Sequence, residues 1–385
     1  MQDEAHLFQM KDAYEILLNH IAAALFDAPI TADLTEESIN EAFSQAVATL
    51  LPISSDKRCQ WILANNLRNL WEHGQLHKLL TEHGIPYAIL KGAASAAYYP
   101  DPALRTMGDV DFIVRQDGIE RTCEAIKKLG FTCADSESEH HVVFRKAQSV
   151  WELHWKAPGI PVGNQRIEAI LDTIIDDAEE KDGCMVPSKF HHGLVLLLHT
   201  AEHLLNTGIG LRHLCDWAMF YSSLSNDAFV ATFQESLQSV GLWRFAQLLT
   251  LTCVRYLGAP AREWAGTSDE GLLESIIEDI LSGGNFGIKD EQRINQAKLM
   301  TNGAERSVDG GSVHHLLASI RNKAILAWPL CGRIKIMLPL GCFYVCIRHL
   351  FRIAKGERPA IHTRRVLNGV RQRKRLYREF KLFQT

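Results

Sequence analysis

The stretch "LKGAASAAYYPDPALRTMGDVDFIV", residues 90–114, sets a Lys-Gly turn ahead of two aspartates that alternate with apolar residues. "DVDFIV" (109–114) has period two and reads as a strand. Side chains at i and i+2 of a strand share a face, so Asp109 and Asp111 stand together. Two like charges about 4 Å apart repel by roughly 4 kcal/mol at an effective dielectric of about 20. A cation between them is the usual remedy. Mg²⁺ held by carboxylates and phosphate oxygens, with Mn²⁺ as its substitute, is the expected one.

Upstream, "IPYAIL" (85–90) is a short run of β-formers ending at Gly92, and "AASAAYY" follows as a short helix stopped by Pro100. Gly92 lets the backbone approach a ligand, and free amides at a helix start attract phosphate. Lys91 offers a point charge to a triphosphate and Arg105 a bidentate clamp on it. Downstream, "SVWELHW" (149–155) alternates again, with Trp151, Leu153 and Trp155 on one face and Glu152 and His154 on the other. Set beside the Asp strand, Glu152 completes a three-carboxylate site of the kind that supports two-metal, in-line phosphoryl displacement.

Apolar spacing predicts helices at 3–26, 34–51, 55–82 and 117–129, and a further strand at 140–146. Beyond Pro158 the pattern is helical, at 165–180, 188–206, 211–224, 226–240, 241–257, 268–282 and 313–326, with the basic tail as another helix. The expected class is therefore α+β: a small mixed sheet with flanking helices and a helical C-terminal domain. The expected divisions are 1–82, an N-terminal helical segment; 83–158, the α+β core; 159–300, a helical domain closing the cleft; and 313–385, a helical, basic extension. The Gly-rich segment at 302–312 is expected to lack regular structure.

The Lys-Gly turn, the Arg-x-x-Gly-Asp-x-Asp element, "ELHW" and the later "LRHLCDWA" together resemble the uncharacterised nucleotidyltransferase family of the polymerase-β-like superfamily, over roughly residues 60–225. The resemblance implies an enzyme of the EC 2.7.7 type that moves a nucleoside monophosphate from an NTP, such as ATP, to an acceptor hydroxyl and releases pyrophosphate. It implies that Asp109 and Asp111 bind the metals, that Glu152 is the third acid and helps deprotonate the acceptor, and that Gly92 lines the triphosphate. The superfamily usually has Gly-Ser or Gly-Gly in the turn. Here it reads Gly92-Ala93, so a hydroxyl contact to phosphate falls to Ser95. A catalytically silent nucleotide-binding or regulatory protein is the alternative this departure permits.

"HTAEH" (199–203) formally matches a zinc-peptidase pattern. His192 lies on the same face, and Glu274 or Glu278 are candidate further ligands. The rival reading turns His199 and His203 toward the nucleotide cleft, together with His154, Arg212 and Asp216. Histidines satisfied at a helix–helix contact are the third option. The acceptor stays open among sugar, aminoglycoside-like molecule, tRNA end and protein hydroxyl.

Composition narrows the setting. At 46% hydrophobic and 22% charged, the 385 residues are those of a globular protein. Nine scattered cysteines without a CxxC pair point to free thiols in a reducing compartment. With an acidic, amphipathic start that is no signal peptide, the expectation is the cytoplasm. The apolar run 336–347 is too short to span a bilayer. The tail from Lys355 to Lys381 has ten Lys/Arg against two Glu. A membrane-peripheral place, or contact with another anionic surface, is the alternative these last two features raise.

Overall fold

The computed structural model describes residues 2–134, 141–290, 292–293, 296–297, 312–355 and 363–384. Of the Gly-rich segment, residues 302–311 lie outside the described ones. Helices α1 (Gln2–Phe26), α2 (Glu36–Ser44) and α3 (Lys57–Glu82) precede β1 (Tyr87–Ile89). The single turn α4 (Ala93–Ala96), β2 (Val110–Val114), α5 (Ile119–Lys128), β3 (Thr132–Ala134), β4 (His141–Lys146) and β5 (Ser149–His154) complete the α+β core. Then come α6 (Gln165–Leu171), a small hairpin of β6 (Glu179–Lys181) and β7 (Cys184–Val186), and α7 (Lys189–Leu205). The helices continue with α8 (Leu211–Ser222), α9 (Asn226–Ser239), α10 (Trp243–Leu257) and α11 (Glu270–Gly283). Toward the C-terminus are α12 (Ser312–Ala327), α13 (Leu330–Arg333), α14 (Leu338–Ala354) and α15 (Thr363–Glu379).

The main sheet is mixed, in the order β1-β2-β5-β4-β3. Only the β2–β5 pair in it is parallel, and its register sets Asp111 opposite Glu152 and Val110 opposite Trp151. Alternation sends Val110, Phe112, Trp151 and Leu153 into a core shared with Leu76, Leu80, Ile126 and Phe144. Glu72 of α3 fixes the position of β5: the Trp151 indole N–H donates to it at 2.9 Å and the Ser149 hydroxyl at 2.5 Å. With Trp151 held inward, Glu152 must face the other side.

A second, larger core gathers Leu17 and Ile21 of α1, Leu194 to Leu198 of α7, Trp217, Phe229, Phe245, Tyr377 and Phe380. Thus α1 joins the helical body while α3 packs on the sheet. The basic tail helix is amphipathic. Arg371, Arg375 and Arg378 are exposed, whereas Arg373, Tyr377 and Phe380 are buried. Arg373 donates to the Leu204 carbonyl, and the Tyr377 hydroxyl donates to Asp279.

Two expected boundaries shift. The helix predicted over 34–51 stops at Ser44, and a 3₁₀ turn follows at Ala48–Leu50 after Ala46 takes a positive φ of 57°. The helix predicted over 165–180 stops at Leu171, and the chain turns into the β6–β7 hairpin. Asp182 and Gly183, with φ of 50° and 73°, make the hairpin turn, and Asp-Gly is the dipeptide that favours it. β3 had no counterpart in the sequence pattern. Among the described residues no helix is long and apolar enough to cross a membrane.

Candidate functional site

Two halves meet at a cavity of about 700 Å³: the C-terminal reach of β5 and the segment before β2 on one side, α7 and α8 on the other. Its lining includes Lys91, Gly92, Arg105, Asp109, Asp111, Glu152, His154, His199, His203, Arg212 and Asp216. Ala93 and Ser95 are not part of it. Ser95 is buried, and its hydroxyl lies 3.3 Å from His192 Nε2, behind the turn.

Gly92 adopts φ 59° and ψ −118°, a conformation open to glycine. A Cβ there would come within 2.5 Å of His73 Nε2. His73 donates from Nδ1 to the Asn69 carbonyl at 2.7 Å, so Nε2 carries a lone pair toward the turn. Burial pushes the His73 pKa down and keeps the ring neutral. The helix that Gly92 opens is a single turn.

The acids carry opposite perturbations. The charge of Asp111, followed by burial, raises the Asp109 pKa to about 6. Burial works against an ionised Asp111 as well, but Lys91 and a hydrogen bond from His154 outweigh it and hold its carboxyl below the usual range. The Lys91 ammonium lies 3.0 Å from Asp111 Oδ2. His154 Nε2 is 3.2 Å from Asp111 Oδ1 and 3.6 Å from Glu152 Oε2. Burial disfavours its charge, yet these carboxylates raise its pKa.

Asp111, Glu152 and His154 each offer a ligand atom within 4.8 Å of the others. Asp109, at the head of β2, stands outside that group. The donor set suits a divalent cation: carboxylate oxygens converge with more negative charge than the Lys91 ammonium balances.

Lys91 also donates to His199 Nε2 at 3.1 Å, and His203 Nε2 lies 3.0 Å from the same nitrogen. Burial, then the Lys91 charge, holds His199 well below the ordinary histidine value, so it is a neutral ring whose single Nε2 lone pair faces both Lys91 and His203. His213 stacks on His199 at 5.7 Å between centroids. Phe286 covers His203 at 4.6 Å, with the Arg212 guanidinium 5.3 Å above its ring. This arrangement turns the Nε2 atoms that a zinc-peptidase site would use toward each other and toward Lys91. Among the described residues no third ligand joins His199 and His203, and Glu274 and Glu278 are exposed on α11. His192 is packed against Phe220, and burial lowers its pKa to about 4.

Arg105 is committed elsewhere than to an open clamp. Its Nε and Nη2 donate to the two oxygens of Asp216 at 2.8 and 2.7 Å, and the Tyr99 hydroxyl adds a third bond at 2.8 Å. The pair is buried and ties the segment before β2 to α8. Sequence reasoning missed His73, His213 and Phe286. His213 lies within the "LRHLCDWA" element, and Phe286 sits between glycines in "GGNFG", a signal for an irregular backbone.

The sequence profile of the family described as uncharacterised nucleotidyltransferase matches residues 24–258. Among solved structures, the chain is similar to the antibiotic-resistance factor ANT(2'')-Ia, at 12% identity and a TM-score of 0.33. That alignment covers 46% of this chain and 92% of the other. No curated protein matches the sequence.

Proposed function

The chain belongs to the uncharacterised nucleotidyltransferase family, and on that premise we propose a Mg²⁺- or Mn²⁺-dependent transfer of a nucleoside monophosphate from an NTP to an acceptor hydroxyl. The observation that carries the proposal is the parallel register pair Asp111–Glu152, with Asp109 at the head of the same strand and all three on one cavity. Asp109, Asp111 and Glu152 would hold divalent cation, with His154 pinning Asp111. A cation there would neutralise the triphosphate and stabilise the charge that builds on the departing oxygens.

Each residue has work of its own. Glu152, half-buried and facing the cavity, accepts the proton of the acceptor hydroxyl. That oxygen forms a bond to the α-phosphorus as the α–β bridge breaks, and pyrophosphate leaves. Lys91 is within reach of both Asp111 and the turn at Gly92, so its ammonium passes from the carboxylate to the triphosphate. Arg212 adds positive charge from α8, while Arg105 acts through Asp216 to hold the two halves of the cavity together. His199, His203 and Phe286 form the wall available to the acceptor or the base.

The test is pyrophosphate release from each of the four NTPs with Mg²⁺, with cell extract as acceptor pool, for the wild type and for Asp109→Ala and Asp111→Ala. Release that depends on both aspartates is expected. Equal release by either variant would sink the proposal. A silent nucleotide-binding protein is the second reading, favoured by Ala93 in the turn and by Ser95 facing His192. It would bind NTP with Mg²⁺ and release no pyrophosphate with any acceptor pool.

A further inference from the structure

Twelve of the twenty large hydrophobic side chains exposed among the described residues fall between Leu317 and Phe351. Exposed apolar residues scattered singly are ordinary, but a contiguous face marks an interaction site. On α14, Leu340, Phe343, Ile347, Leu350 and Phe351 recur at three- and four-residue spacing, so they form one stripe. Phe343 is 65% and Phe351 64% exposed. The opposite side of α14 is occupied: a Cβ on Gly341 would lie 2.7 Å from Cys331 Sγ and 3.2 Å from Ala324 Cβ, which places α12 and α13 behind it. Trp328 and Tyr344 stack at 4.9 Å beside the stripe. The stripe is thus the outward face of a helical unit whose inward face is already used.

Charge selects what covers it. From Ser312 to Lys355 there are seven Lys/Arg and no Asp or Glu. On α14 the exposed Arg348 borders the stripe, and Arg352 lies one turn further on, toward the side that Gly341 occupies. An isologous contact with a second copy would oppose these cations to one another. A nucleic acid would satisfy the cations and leave the stripe in water. An anionic phospholipid surface satisfies both, taking the apolar side chains into the acyl boundary and the basic ones at the headgroups, with aromatic rings at the interface. We propose that α12–α14 is an interfacial anchor that lays the protein on an anionic membrane surface without crossing it. The inference stands apart from nucleotidyl transfer, because its test reads lipid binding and not catalysis.

The experiment is flotation of the full chain with vesicles of phosphatidylcholine alone or mixed with phosphatidylglycerol. It uses the wild type, the apolar variant Leu340→Ser/Phe343→Ser/Phe351→Ser, and the charge variant Arg348→Ala/Arg352→Ala. Circular dichroism melting checks that both variants fold. The wild type is expected to float with the mixed vesicles and to dissociate as salt is raised. The charge variant should bind roughly tenfold more weakly or worse, at about one Lys/Arg-sized contribution for each residue removed. The apolar variant should remain in the pellet fraction. Absence of flotation with mixed vesicles overturns the proposal. So does equal flotation of both folded variants, or a wild-type dimer that the apolar variant converts to a monomer without any vesicle binding.

Discussion

Replacing Lys91 with Met should pull stability and metal affinity in opposite directions. In the wild type the ammonium sits 3.0 Å from Asp111 Oδ2, a pair whose gross attraction is roughly 5 kcal/mol at an effective dielectric of about 20. Removing one member of a buried pair strands the other, and such losses run about 3–5 kcal/mol. Lys91→Met should therefore lower the unfolding free energy by that order when no divalent cation is present. Asp111 is held below the usual carboxylate range, so it contributes stability above that range and loses it as pH falls. Without Lys91 this contribution shrinks, and acid unfolding should begin at a higher pH. Mg²⁺, in contrast, no longer competes with an ammonium for Asp111. Its affinity should rise at least about tenfold, equivalent to about 1.4 kcal/mol, and most of the lost stability should return on saturation. Pyrophosphate release should fall, because the triphosphate loses its cation. Urea denaturation with and without Mg²⁺ and calorimetric titration of Mg²⁺ decide the matter. A metal-free variant as stable as the wild type, or one that binds Mg²⁺ no more tightly, refutes the assignment of Lys91 as occupant of the Asp111 site.

Asp216→Ala should cost about 3–5 kcal/mol in urea denaturation, since Arg105 is then left buried with its donors unpaired; a loss under about 1 kcal/mol contradicts the tie. With its folded pKa raised to about 6, Asp109 takes up a proton that the unfolded chain has already lost. Its contribution to metal-free stability is present in acid and declines as pH rises through about 6. A thermal-melting profile should show that decline, and Asp111→Asn, which removes the first cause of the shift, should move it to lower pH. Phe286 holds a φ of 56°, so Phe286→Gly should be more stable than Phe286→Ala by about 1 kcal/mol in denaturation, because both lose the ring and only Gly sheds the strain; the reverse order contradicts a left-handed Phe286.

The acids were legible because period-two alternation is local: "DVDFIV" and "WELHW" state which residues share a face, and the sheet had only to bring the two runs together. Asp111 and Glu152 then met as register partners. The partners of the cations were not legible. Lys91 lies 108 positions from His199 and Arg105 lies 111 from Asp216, and no spacing rule reaches across such distances. His154 was read as a cleft residue, yet it bonds Asp111 directly, a fact set by the parallel offset and not by its own strand. In the tail, Val, Leu, Tyr and Phe fall among the basic residues at mixed spacing, so the buried face was hidden: Arg373, Tyr377 and Phe380 carry it, and one of them is itself a cation. The β6–β7 hairpin was signalled by Asp182-Gly183, but apolar spacing before it mimicked a continuing helix.

The parallel pairing of β2 with β5 has a consequence in time. Antiparallel neighbours zip outward from a turn, whereas a parallel pair waits for the whole intervening crossover, here α5, β3 and β4, to be in place. Asp111 and Glu152 stand 41 positions apart, and the cation that balances Asp111 is oriented by His199 of α7, later still. As the ribosome extends the chain, Lys91 emerges ahead of both acids, so Asp111 has its cation to hand before Glu152 is made. The second acid is therefore added to a site already part-neutralised, and His199 reaches the ammonium only afterwards.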